Sequence, residues 1–471
     1  VPQHSCGCSP EDLLTGFNAL SSRSSAGKGT EPLEKGPAYN NILNLNSNSS
    51  QTEWPTYRRD AQRSGYQDLG APGKPGVAWT EKLSPPITAP VAADGIVVVA
   101  ETDTHTVHAL SALDGKQAWT FVADGRIDSP PTLFGGLCLF GTRNGFVYCL
   151  RASNGELVWR FRAATRDRRI FAYEQLESPW PVSGSVLVDD KLSGGVPTAY
   201  FAAGRSGNLD GGIHLYALEV KTGKLLHTTD VNMAAGANRD GLIRARVLPD
   251  ILSAQKGAVW MRGLGVDKNL SPVQGKPHLY APRGFLDDTW WHRTYWVYDK
   301  AVGGGYMNWA KTGTESPSGR LLVSDGGNLI YGYGRLGNRR SDINHPEAGH
   351  VLPDPTGRYM LFAEALEPKP TAARWPDTTR DVIWGARLPF VAKAIVLTRD
   401  SLLVAGGASL TESAESHSPG AFWVASREDG SKMAECTLPA PPVLDGMALT
   451  GAGVFVSAVD GTVACLQTNK G

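Results

Sequence analysis

Ala109–Trp119 reads ALSALDGKQAW, and Cys149–Trp159 reads CLRASNGELVW. Ala217–His227 (ALEVKTGKLLH) and Val424–Ala434 (VASREDGSKMA) follow the same eleven-residue plan. A small residue opens each segment, glycine stands at the seventh place, and the eleventh is often Trp. Gly115, Gly155, Gly223 and Gly430 supply the positive φ that a tight strand-to-strand turn needs. An apolar strand enters each turn and a second leaves it. Upstream lie two more alternating runs, as in Ala92–Ala100 (AADGIVVVA) and Pro131–Gly141 (PTLFGGLCLFG). Four short strands per repeat predict an all-β chain built of propeller blades.

The two ends of the chain complete one another. Cys465–Gly471 (CLQTNKG) begins the pattern and stops at its glycine, while Gly76–Leu83 (GVAWTEKL) carries Trp79 in the Trp slot. A closed β-propeller is therefore expected, with the first and last strands sharing a blade and no sheet edge left open. The count that fits best is seven four-stranded blades, with six or eight as alternatives. The approximate bounds are 88–121, 127–163, 180–231, 241–300, 317–367, 382–438, and 441–471 joined by 76–83. The pattern is missing from 232–380. Residues 1–53 read as an irregular N-terminal arm, since Ser21–Ser50 is rich in Ser, Asn and Gly without periodicity. Residues 54–471 read as the propeller.

Composition narrows the function. Lys+Arg and Asp+Glu both total 46, so the basic surplus of a general nucleic-acid binder is missing. No run of about 18 apolar residues occurs, so no transmembrane helix is expected. The chain opens at Val1, read as a processed end or the start of a fragment. The six cysteines (Cys6, Cys8, Cys138, Cys149, Cys436 and Cys465) show no zinc, thioredoxin-like or haem spacing.

The eleven-residue signature resembles the tryptophan-docking motif of PQQ-binding-like, quinoprotein-alcohol-dehydrogenase-like propellers. More narrowly, several strings resemble the secreted planctomycete group of such repeat proteins: Trp54–Gly65 (WPTYRRDAQRSG), Ile127–Thr132 (IDSPPT), Val147–Ala163 (VYCLRASNGELVWRFRA), Gly204–Gly212 (GRSGNLDGG), Gly284–Trp296 (GFLDDTWWHRTYW) and Pro441–Met447 (PPVLDGM). The resemblance implies a propeller in a periplasmic or extracellular setting, with a further N-terminal domain or separate chain as a partner. Quinoprotein dehydrogenases of this kind carry an adjacent Cys-Cys pair, a calcium site and an Asp base. This chain has no Cys-Cys pair, so PQQ is not expected.

In a four-stranded blade repeat the loop from the outer strand to the next inner strand and the loop between the second and third strands open on one side, which gathers on one face Asp103 and His105, Arg126 and Asp128, Arg143 and Asn144, Arg205, Asn208 and Asp210, Asn238, Arg239 and Asp240, and Asp445. The longest, Ala164–Pro179, brings Arg166, Arg168, Arg169, Tyr173, Glu174, Gln175 and Glu177, with Trp180 behind it. Charges and aromatics converging on one face suit an anionic or sugar-like ligand. The competing reading is that the arginines pair with carboxylates and tie blades together. His292, Arg293 and Tyr295 form the densest reactive string, a base, a carboxylate clamp and an acid for lyase-type cleavage of an anionic polysaccharide. Strand alternation opposes that reading, because it places His292 opposite Arg293 and Tyr295; packing between blades is the bland alternative. Cys6 and Cys8 fit copper, or disulfides to cysteines elsewhere. Calcium is a second metal candidate from the Asp-Gly turns, none of which has the spacing of a dedicated loop. Cys149 and Cys465 sit in the small-residue slot and read as buried fillers, with a Cys138–Cys149 bridge conceivable. The leading expectation is a carbohydrate-active face, ahead of a non-catalytic protein-interaction scaffold and a metal or quinone oxidoreductase.

Overall fold

The computed structural model describes residues 31–41, 52–172, 175–207, 209–231, 249–275, 279–280, 296–298, 316–335, 359–367, 369–370, 378–408 and 418–468. Apart from one 3-10 turn at Tyr39–Asn41, these residues form strands and turns. The chain is an all-β propeller: among the described residues there are six four-stranded antiparallel sheets and one five-stranded sheet. Their first strands adjoin in sequence, Val91–Ala93 beside Thr132–Phe134, then Leu187–Asp189, then Ser253–Gln255. Likewise Leu321–Val323 adjoins Val391–Leu397, which adjoins Pro442–Thr450, which in turn meets Val91–Ala93.

The eleven-residue pattern has a mechanical reason. Trp119 Nε1 donates to Ala152 O at 2.7 Å, and Trp159 Nε1 to Val220 O at 3.0 Å, each reaching the turn of the following sheet. Trp79 does the same to Ala112 O at 3.2 Å. The ring then lies on the turn glycine: a Cβ on Gly155 would stand 2.7 Å from Trp119, and one on Gly223 2.7 Å from Trp159. Gly155 and Gly223 also sit at φ +73° and +67°, so both the twist and the close approach demand glycine. Trp159 is fully buried, and truncating a buried aromatic of this size costs about 3–5 kcal/mol. Two residues on, Phe121 and Phe161 meet the stacked pairs Phe140–Tyr148 and Phe201–Tyr216 of the following sheets. These two sheets thus grip their successors by a W-x-F pair.

The expected pairing of chain ends is observed: Pro75–Lys82 runs antiparallel to Thr462–Thr468, with Trp79 opposite Cys465. Other expectations need correction. Val382–Ala386 is not the start of the 382–438 unit but the outer strand of the sheet formed by Leu321–Val323, Leu329–Arg335 and Tyr359–Ala365. Its Trp384 docks on Arg427 O at 3.2 Å and on Gly430, which fixes that assignment. The 241–300 unit is in fact shorter: Ser253–Val273 makes a sheet of four short strands, while Leu279–Tyr280, Trp296–Tyr298 and Ser318–Gly319 form a separate three-stranded one. His227, in the Trp slot, is exposed. Part of the N-terminal arm is regular, because Leu33–Lys35 adds a fifth strand beside Leu157–Arg162.

Cys138 lies opposite Leu150 and Cys149 opposite Leu139, so the two cysteines point to opposite faces of their sheet and cannot bridge. Cys149 and Cys465 are buried fillers against Trp159 and Trp79.

The segment at Trp54–Gln67 crosses the first strands in turn. Trp54 pairs with Ala92, Pro55 O accepts from Leu133 N, Ala61 O from Ala254 N, Ser64 O from Ser324 N, and Gly65 O from Leu397 N. Gln67 N returns to Leu397 O, and its amide donates to Leu449 O at 3.2 Å. The edges of the first strands are therefore paired by the chain itself.

Candidate functional site

Backbone bonds bring three loops together. Arg143 N donates to Arg126 O at 2.9 Å, and Ser178 N donates to Arg143 O at 3.0 Å. Onto this frame the side chains form a chain of ion pairs. Arg126 bridges Asp103 (3.0 Å) and Asp128 (2.7 Å). Arg143 holds Asp128 through Nε and reaches Glu177 Oε1 with Nη1 at 3.4 Å. Burial raises the Asp128 carboxyl, but Arg143 and Arg126 outweigh it and hold it below its ordinary range. Glu177 has the opposite fate. It is 2% exposed, its Oε2 is buried without a partner, and Arg143 is shared with Asp128. Burial pushes its pKa up to about 7, with Arg143 opposing and Asp128 adding to the rise.

A second knot lies alongside. Asp210 accepts from Arg205 Nη2 at 2.6 Å and from Arg168 Nη1 at 3.1 Å, and its carbonyl accepts from Trp180 Nε1 at 2.9 Å. Arg169 donates to Asn144 Oδ1, and Asn144 Nδ2 to Asp124 O. Above both stands the hairpin of Ile170–Ala172 and Gln175–Glu177. Gln175 binds His105 Nε2 at 2.9 Å. Phe171 and Leu176 face each other across the hairpin and are 51% and 68% exposed.

The expected face thus gathers Arg126, Asp128, Arg143, Arg168, Glu177, Trp180, Arg205 and Asp210 into two linked networks, with Arg166 exposed beside them. Their guanidinium groups are directed at carboxylates rather than at open solvent. Tyr173, Glu174, Asn208, Asn238, Arg239, Asp240, His292, Arg293, Tyr295, Cys6 and Cys8 lie outside the described residues. Trp296, beside the reactive string, is buried with Arg58 over its ring at 5.4 Å. Asp445, expected on the face, is buried in a separate cluster with the crossing segment. It accepts from Tyr57 Oη at 2.6 Å and from Arg58 Nη1 at 2.9 Å, all three groups being buried. Burial, then Asp445, raises the Tyr57 phenol well above its ordinary value. Tyr57, Arg58 and Arg63 were not singled out from the sequence. The available signal was a run of aromatic and basic residues without strand periodicity, WPTYRRDAQRSG.

Residues 71–259 match the family model described as "Outer membrane protein assembly factor BamB". Over those residues the chain resembles that propeller family. BamB of Burkholderia pseudomallei is 28% identical over 215 residues, 45% of this chain and 50% of that protein, so the match spans half the curated relative's length. BamB of Yersinia pestis is 35% identical over 75 residues, 16% of this chain and 19% of that one. Among solved structures, BamB from Moraxella catarrhalis overlays with a TM-score of 0.47 at 12% identity, covering 84% of this chain and 98% of that one. Quinohemoprotein alcohol dehydrogenase from Comamonas testosteroni gives 0.46 at 14% identity, covering 89% and 81%.

The four described cysteines are free, three of them buried in separate strand positions, and Trp54–Gln67 already pairs with the first strands. Among the described residues no three His, Cys, Asp or Glu side chains group as a metal site.

Proposed function

We propose that this protein is a non-catalytic interaction scaffold, a seven-bladed ring closed by the pairing of Pro75–Lys82 with Thr462–Thr468. Its binding feature is the hairpin that carries Phe171 and Leu176. One observation carries the reading: two large apolar side chains are paired across two short strands and exposed, next to a buried charge at Glu177. Exposed apolar groups on a rigid, polar-rimmed support suit a protein partner. Arg166 and Arg169 beside the hairpin favour a partner surface that is apolar with acidic margins.

The arginines expected to take an anionic polysaccharide are instead engaged by Asp103, Asp128, Glu177 and Asp210, which argues for the scaffold over the carbohydrate reading. The curated relatives are named as assembly factors for outer membrane proteins, a role exercised on other proteins. A periplasmic or extracellular setting is compatible with this, and no described helix is long and apolar enough to cross a membrane.

The test is a photo-crosslinking residue placed at Leu176 in the native host, with Thr120 on an outer strand as control. A single partner crosslinked at Leu176, not at Thr120, and lost on Phe171→Asp is the expected result. Depolymerisation of a polysaccharide by the purified chain, with no crosslink at Leu176, would reject the scaffold.

A further inference from the structure

Among the described residues Arg63 is the most buried arginine, at 2% exposure, and it forms no ion pair with any of them. Its Nε donates to Leu252 O at 2.9 Å, and its Nη1 to Thr56 Oγ1 at 2.8 Å and Tyr57 O at 3.0 Å. These bonds satisfy dipoles, and no carboxylate bonds the guanidinium directly. Nη2 is buried with no hydrogen-bond partner. The nearest carboxylate in sequence, Asp60, is engaged by Ser64 N at 3.0 Å and by Arg59 at 3.5 Å. Arg58 adds a second positive charge nearby, and its own carboxylate, Asp445, is shared with Tyr57. Burial lowers the Arg63 pKa to about 10, with Arg58 acting in the same direction and Asp60 against it. Guanidinium still carries its proton there at neutral pH. A buried charge left without a counter-charge costs several kcal/mol.

A small recess of about 20 Å³, about the room one small ion needs, abuts this side chain. It is lined by Gln62, Arg63 and Ser64 of the crossing segment, by Leu322, Val323 and Ser324, and by Leu279 and Tyr298 of the three-stranded sheet. Ser324 Oγ accepts from Gly326 N at 3.1 Å and keeps its own proton to give. The recess therefore offers a desolvated guanidinium, a hydroxyl donor and apolar walls.

We propose that this recess is a binding site for a small monovalent anion of the size of chloride, held by Arg63 and Ser324. The anion supplies a directly bonded counter-charge and ties the crossing segment to the sheet of Leu321–Val323 and to the three-stranded sheet. Apolar walls favour weakly hydrated halides over larger carboxylates or sulfate.

Thermal unfolding of the full chain, followed at fixed ionic strength, separates this from general screening. With chloride replacing gluconate the midpoint is expected to rise by about 2 °C, as for any ligand that binds only the folded state. Arg63→Gln and Ser324→Ala should each abolish the rise. Equal midpoints in the two salts, or an unchanged rise in both variants, overturn the site. Should Arg63→Gln fail to fold, crystals of the unaltered chain in bromide decide. An anomalous peak between Arg63 and Ser324 supports the assignment. Peaks confined to surface arginines, or none, reject it.

Discussion

Two clusters among the described residues treat their arginines differently. On the loop face, Arg126, Arg143, Arg168 and Arg205 meet Asp103, Asp128, Glu177 and Asp210, and the surplus is an acceptor, Glu177 Oε2. At the crossing segment, Arg58 takes Asp445 while Arg63 has only neutral oxygens, and the surplus is a donor, Arg63 Nη2. A spare acceptor on a carboxylate can be cured by a proton, since a neutral carboxyl group is accessible near pH 7. A spare guanidinium donor cannot be cured by losing its proton, so it needs an anion or tolerates the cost. The face should therefore respond to pH and the crossing segment to salt composition.

Breaking the crossing-segment cluster should have the largest effect. Asp445→Ala removes the acceptor of both Tyr57 and Arg58 and leaves a buried cation unpaired. Loss of one partner from such a pair costs about 3–5 kcal/mol. Guanidinium unfolding should show it as a lowered midpoint with the slope kept, and a change under about 1 kcal/mol would mean that Asp445 is not the anchor.

The face should show a smaller effect, dependent on pH. Glu177 titrates near 7 in the fold against an ordinary value of 4.5. The folded chain therefore holds the proton more tightly than the unfolded chain. Its contribution is complete below about pH 4.5 and is lost as pH rises through 7. The shift corresponds to about 3 kcal/mol by pH 8. Glu177→Gln keeps a neutral side chain at every pH, so the variant should lack this decline and exceed the unaltered chain at pH 8. Midpoints that run parallel for the two proteins between pH 5 and 8 would count against a protonated Glu177.

These two regions were legible in the sequence to different degrees. The face was legible because the blade repeat says which loops lie side by side, and Arg126 and Arg143 meet Asp128 and Glu177 while Arg205 meets Asp210. The pairing among them was not, since each bond joins loops separated in sequence, as Arg143 does with Glu177. The crossing segment was hidden because Trp54–Gln67 has no period of its own. Its bonds are to strands from Ala92 to Leu449, and nothing local announces them. Between Gly223 and Gly430 the repeat failed for a related reason. Trp384 pairs with Ala363 across a long insertion, so the Trp slot exists but the eleven-residue spacing that would reveal it does not.

The smallest effect should come at the margin of the face network, where Asp210 has two guanidinium partners of unequal burial. The Arg205 side chain is 18% exposed and lies 2.6 Å from Asp210, while Arg168 is 32% exposed and lies 3.1 Å away. Solvent screens the outer pair, and the inner one remains when it is lost. Arg168→Ala should therefore cost less than about 1 kcal/mol, with a dependence on salt, as for surface pairs. Arg205→Ala should cost more, since it leaves Asp210 to the weaker partner. The double variant should lose more than the two singles added together, because only then is the Asp210 carboxylate left without a cation. A loss above 2 kcal/mol for Arg168→Ala alone would show that the margin is as tightly built as the crossing-segment cluster. Strict additivity would show that Asp210 finds another counter-charge once both arginines are gone. Either result would erase the contrast between a face that shares its charges and a crossing segment that does not.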